Sequence, residues 1–156
     1  MDQPITPCLW FDGNAREAAE FYTSIFPNSK MGEIGKAPEG GTPSNEAGDE
    51  MVVEFSLNGQ PFVGLNGGPM FSFTEAVSFQ IFCADQAEVD HYFDSLTADG
   101  GEASYCGWLK DKFGLSWQVV PTQVLELIKG PKGQVAFEAI NKPAKIVIAD
   151  VQAACA

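Results

Sequence analysis

The sequence predicts an α+β fold made of two tandem βαβββ modules. Three observations predict it: an internal repeat, a matched pair of amphipathic helices within that repeat, and strand patterns that follow each helix. The segment LWFDGNAREAAEFYTSIFPNS starts at Leu9 and QIFCADQAEVDHYFDSLTADG at Gln80, an offset of 71. Under that offset Phe11 meets Phe82, Asn14 meets Asp85, Glu17 meets Glu88, Phe21-Tyr22 meets Tyr92-Phe93, and Ile25 meets Leu96.

Each copy opens with a short apolar strand. An Asn or Asp then precedes a Glu by three positions, the capping-box spacing that starts a helix. Ala18, Phe21, Tyr22 and Ile25 form an apolar stripe in the first helix, and Val89, Tyr92, Phe93 and Leu96 form its counterpart. Such a stripe marks a helix packed on a sheet. Pro27-Asn28-Ser29 and Asp99-Gly100-Gly101 end the two helices.

After the first helix the pattern predicts a brief strand at 31–34, a Gly/Pro/Ser/Asn-rich loop over 36–50, and two strands, MVVEFSL and PFVGLN, joined at Asn58-Gly59-Gln60. After the second helix, fainter strands run from Ala103 to Leu109 and from Leu115. The expectation is one domain over 1–156, with module one at about 4–68, module two at about 74–121 and a tail at 122–156. In the tail, Val124, Leu125 and Ile128 predict a short helix, 134–141 another, and KIVIA at 145–149 a strand, with Asp150 placed to cap a final turn. So apolar a tail needs a surface to dock on, either its own domain or a second subunit.

A formal net charge of -12 repels phosphate backbones and anionic lipid, which argues against nucleic acid and membrane as partners. Cys8, Cys83, Cys106 and Cys155 are widely spaced and form no CxxC pair. No signal peptide and no membrane-length apolar run is seen, so the expected setting is cytoplasmic, with reduced thiols.

The stretches WFDGNAREAAEFY, EFSLNGQPFVGLNGG, FSFTEAVSF and CGWLKDKFGLSWQVVP resemble the PhnB-like group of the glyoxalase/bleomycin-resistance/dioxygenase (vicinal oxygen chelate) superfamily. Members of this group often carry the label 3-demethylubiquinone-9 3-methyltransferase-like. The resemblance runs from Ile5 into the tail. It implies paired βαβββ modules whose strands curl into a cup-shaped sheet, and a homodimer. The methyltransferase label itself finds no support in the residues. The Gly-containing stretches close hairpins or helices and form no strand–Gly-rich-loop–helix unit.

Metal-dependent members of the superfamily place four His/Glu-type ligands on the cup floor. The resemblance maps those positions onto Pro7, Gly64, Ser78 and Gln118. Two of these offer no side-chain donor and two are weak neutral ligands. No metal and no cofactor is therefore expected, although a divalent metal on other ligands stays open. The single histidine, His91, is expected to face solvent.

Strand alternation under the repeat offset predicts the cup-facing side chains. They are Leu9 and Phe11; Val52, Glu54 and Ser56; Phe62, Gly64 and Asn66; Ser78, Gln80 and Phe82; and Ser116, Gln118 and Val120. Trp108 joins the candidate pocket from the CGWLKDKFG segment, with Lys110 and Asp111 as turn residues, and the 36–50 loop is a candidate lid. A mostly apolar surface with sparse polar groups suits a small-molecule ligand. Glu54 is the candidate general base, on the premise that an apolar cup raises its pKa. Three functions stay open: a metal-independent small-molecule binder acting as a dimer, a lyase- or isomerase-type enzyme using Glu54, and a non-catalytic interaction module.

Overall fold

The computed structural model describes residues 5–156 and divides the chain into two compact units, one running to Ser72 and one from Phe73 to Ala156. Each unit carries one βαβββ module.

Module one comprises β1 (Cys8–Phe11), α1 (Ala15–Ile25), β2 (Lys30–Lys36), β3 (Glu50–Leu57) and β4 (Gln60–Asn66). Its sheet has the order β1-β4-β3-β2, with β1 and β4 parallel and the other neighbours antiparallel. α1 buries Ala15, Ala18, Ala19, Tyr22 and Ile25. On the sheet face that packs with it, Val53, Phe55, Leu57 and Phe62 are also buried. Tyr22 lies 6.3 Å from Phe55, and Phe55 stacks on Phe62 at 5.4 Å. Gly64 permits the close approach of α1, because a Cβ there would lie 3.1 Å from the Cβ of Ala15. The β3–β4 hairpin turns on Asn58 and Gly59, both at positive φ (48° and 82°), as a tight hairpin turn of this hand requires.

The start of α1 departs from expectation. Asn14 occupies the cap position but its side chain caps nothing. Instead Asn66, from the end of β4, accepts the Ala15 N–H at 2.9 Å and donates to the Glu50 carbonyl at 2.8 Å. Asn45 in the 37–49 loop donates to the Asn66 carbonyl at 2.8 Å. Asn66 thus joins helix, sheet and loop at one buried node. A side-chain cap appears in module two, where Asp85 accepts from the Glu88 N–H and Glu88 reaches back one residue past the cap to accept from the Ala84 N–H, a variant of the expected capping box.

Module two comprises β5 (Ser78–Cys83), α2 (Gln86–Thr97), β6 (Glu102–Ala103), β7 (Trp108–Lys110) and β8 (Ser116–Pro121). Its order, β5-β8-β7-β6, repeats that of module one, with β5 and β8 parallel. α2 buries Val89, Phe93 and Leu96. The expected strand over 103–109 is two strands, because Cys106 (φ 58°) and Gly107 (φ 79°) form a turn between them. Asp111, expected in an ordinary turn, is buried. Its carboxylate accepts from the Phe113 and Leu115 N–H groups and from Trp117 Nε1 at 2.8 Å.

The tail forms α3 (Thr122–Lys129), α4 (Gly133–Ile140) and α5 (Ile148–Ala154). KIVIA is not a strand. Ile146 and Ile148 join Val124, Ala136, Ile140 and Val151 in a small core of their own. The tail docks on its own module. Gln86 of α2 donates to the Ile146 carbonyl and accepts from the Ile148 N–H, and Lys145 pairs with Asp90 and Asp94 at 3.0 Å each. The Gln86 side chain, with the Asp150 and Val151 N–H groups donating to the Val147 carbonyl, holds 146–148 without a neighbouring strand.

Candidate functional site

In each module the helix covers one sheet face and leaves the other open. The open face of module two presents Ser78, Gln80 and Phe82 from β5, Gln118 and Val120 from β8, and Trp108 and Lys110 from β7. Gln118 donates through Nε2 to Ser78 Oγ at 2.8 Å, and Gln80 donates through Nε2 to Gln118 Oε1 at 3.3 Å. The register places Gln80 and Trp108 on either side of Gln118. Phe82 is 57% exposed beside this polar ladder, a large aromatic surface that its own module leaves uncovered.

In module one the expected faces are inverted on two strands. Leu9 and Phe11 are buried on the α1 side, as are Phe62, Gly64 and Asn66. Phe11 is therefore a core residue, and Asn66 is the structural node described above. The face opposite them carries Cys8 and Trp10 on β1 and Val63 and Leu65 on β4. On β4 the cause is the two-residue Asn58-Gly59 turn, which pairs Phe55 with Phe62 and Glu54 with Val63. On β1 it is one extra residue. Asp12, Gly13 and Asn14 connect β1 to α1, whereas Ala84 and Asp85 alone connect β5 to α2. Gly13, at φ 84°, takes up the added link. The helices keep the 71-residue offset (Tyr22 to Phe93), but the strands shift to 72 (Phe11 to Cys83). A shift of one residue turns every side chain of a strand to its other face.

Glu54 does lie opposite the helix-packed residues of β3, with Val52 and Ser56. It is exposed, so the apolar enclosure expected around it is missing. Trp10 is half-buried on the open side of module one. Its Nε1 donates to the Gly68 carbonyl at 2.8 Å, and Phe71 meets its ring edge-on at 4.8 Å. Sequence reasoning missed this pair, although Gly67 is its signature: a Cβ there would fall 2.4 Å from the Trp10 indole. The 37–49 segment, the candidate lid, is tied down by Asn45 and by Ala37–Asp49 backbone bonds.

A divalent metal does not suit the four mapped positions. Pro7 has no donor, Gly64 faces α1, and Ser78 and Gln118 are neutral groups bonded to each other. Among the described residues no group of three or more His, Cys, Asp or Glu is placed to hold a metal ion. His91 is exposed on α2, in ring contact with Tyr92. None of the four cysteines is in a disulfide, and no helix among the described residues is long and apolar enough to cross a membrane.

Comparison with known proteins now decides the family. The model of the 3-demethylubiquinone-9 3-methyltransferase family matches residues 3–120. The chain belongs to this family. A solved PhnB protein of the family from Bacillus cereus is 35% identical, with 76% of this chain and 99% of that one covered at a TM-score of 0.68. A Pseudomonas aeruginosa protein (21% identity, 76% and 97% covered, TM-score 0.60) shares the fold. So does the fosfomycin resistance protein FosX of Listeria monocytogenes (14%, 78% and 93%, TM-score 0.51), a likeness that carries the fold alone. No curated protein matches. The fold is thus that of the glyoxalase-like superfamily, two four-stranded mixed sheets with helices. The family match ends at 120, short of the expected extension into the tail, so α3 to α5 are an addition to the PhnB-like core.

Proposed function

We propose that this PhnB-like protein binds a small, partly apolar molecule on the open face of module two, without a metal and as a homodimer. The observation that carries the reading is the Ser78–Gln118–Gln80 ladder flanked by exposed Phe82 and by Trp108. Neutral amides and a hydroxyl orient a ligand by hydrogen bonds, and the aromatics supply the apolar contact area. Gln80 keeps an unspent amide carbonyl, so the ladder can meet a ligand donor as well as an acceptor. A cytoplasmic setting accords with four cysteines free of disulfides.

A thermal-shift screen of aromatic and keto compounds tests the reading. Binders should raise the melting temperature in the parent, and Gln118→Leu should abolish the rise. If every hit survives Gln118→Leu unchanged, the face is wrong. Metal analysis of untagged protein should find no stoichiometric metal; one ion per chain would contradict the metal-free reading. Light scattering should give twice the chain mass.

A further inference from the structure

A cavity of about 120 Å³ lies at the β6–β7 end of module two. Glu75, Glu102, Ser104, Trp108, Lys110 and Ser116 line it. Ser116 is 1% exposed, and its hydroxyl has no hydrogen-bond partner in the structure. A buried hydroxyl without a partner costs folding free energy, so it calls for an occupant. Strand register sets its direction. Ser116 lies opposite Lys110, and Lys110 opposite Glu102, so all three side chains share the open face.

The charges at the cavity choose the occupant's sign. Lys110 is committed to Glu75, with Nζ 2.8 Å from Oε1. The hydrogen bond that Lys110 donates to Glu75 is the main reason the Lys110 pKa lies above its ordinary value, and the Glu102 charge adds to it. The ammonium pairs with Glu75 and not with Glu102, which leaves the Glu102 charge uncompensated. Trp108 contributes an aromatic ring to the same wall, a surface that attracts cations. At ~30 Å³ per water-sized group, the space takes a headgroup of about four heavy atoms.

We propose that this cavity binds the ammonium group of a small amine-bearing ligand, with Glu102 supplying the charge, Ser116 Oγ accepting a hydrogen bond and Trp108 packing on the cationic end. This assignment rests on the small-molecule reading above and adds the ligand's chemical class to it. The ligand's apolar remainder extends along the open face towards Gln118, which pairs with Trp108.

The test uses ¹⁵N-labelled full-length chain and three probes of similar size, ethylammonium, acetate and ethanol, at matched ionic strength. Ethylammonium should shift the Trp108 indole N–H and the Ser104, Lys110 and Ser116 amides saturably, and the other two should not. Ser116→Ala should weaken ethylammonium binding about fivefold, the loss of one hydrogen bond. Its melting temperature should stay at or above the parent's, since the hydroxyl lost was unpaired. Glu102→Gln should weaken binding by a similar factor and flatten its salt dependence. Equal shifts with acetate, no saturable shift with ethylammonium (a site for water alone), or an unchanged Kd in Ser116→Ala would overturn the assignment. If screen hits still move Gln80 and Gln118 while ethylammonium moves nothing, the assignment fails and the small-molecule reading stands.

Discussion

Asn66 allows the sharpest quantitative prediction. It is 4% exposed and caps α1 across 51 positions of sequence by accepting the Ala15 N–H. Asn66→Ala deletes that cap, at about 1 kcal/mol within a 0.5–2 range. It also strips the Glu50 carbonyl of its 2.8 Å donor, which adds ~1–1.5 kcal/mol at a part-buried site. The total is about 2–3 kcal/mol, or a drop of roughly 5–10 °C in Tm for a chain of this size. Asn14→Ala, at the formal cap position, removes no side-chain cap bond and should cost under ~0.5 kcal/mol. Urea denaturation of both variants measures the difference, with unchanged slope indicating unchanged unfolded states. If Asn14→Ala costs as much as Asn66→Ala, the account of how α1 begins is wrong.

Other predictions follow from single sites. Gly107→Ala places a Cβ 2.7 Å from the Val119 carbonyl at φ 79° and should cost at least about 2 kcal/mol, measured by the same denaturation. Burial, followed by the charges of Glu88 and Asp85, pushes the Cys83 thiol up to about 11. Cys83 should resist a thiol reagent at pH 8 until the protein unfolds. Its folded pKa is raised, so its contribution to stability is present below the ordinary thiol range and is lost as pH rises towards 11. For the Lys145 anchor, the Asp94 and Asp90 hydrogen bonds raise the lysine, and the Gln86 and Lys145 hydrogen bonds lower Asp90. Tail docking should therefore hold between the ordinary Asp and Lys ranges. It should weaken as pH falls through the depressed Asp90 value or rises through the raised Lys145 value. Amide exchange in α5 across pH reads this out, and protection that ignores pH at both ends would refute it.

Much of the fold was legible because helix stripes and the Asn58-Gly59 turn depend on neighbours in sequence. Tyr22 and Ile25, with Phe93 and Leu96, are buried as their spacing requires. The open face of β5 was legible for the same reason, since Ser78, Gln80 and Phe82 alternate with buried Ile81 and Cys83. What failed was long-range or hinged on one residue. The extra link at Gly13 inverted β1, so Phe11 read as a pocket residue when it is core. The cap on α1 comes from Asn66, and no local pattern announces a partner 51 residues away. KIVIA reads as a strand by propensity, but hydrogen bonds with the Gln86 side chain and the Lys145–Asp90 ion pair hold it in another shape. Glu54 sat on the expected side of β3, yet nothing in sequence could show that it would be solvated.

The most direct test of the central claim is to follow the side-chain amide resonances of Gln80 and Gln118 while titrating a thermal-shift hit into ¹⁵N-labelled protein. The account predicts saturable shifts of both amides together with the Trp108 indole, at one common Kd. Saturable binding that leaves all three unmoved would contradict it.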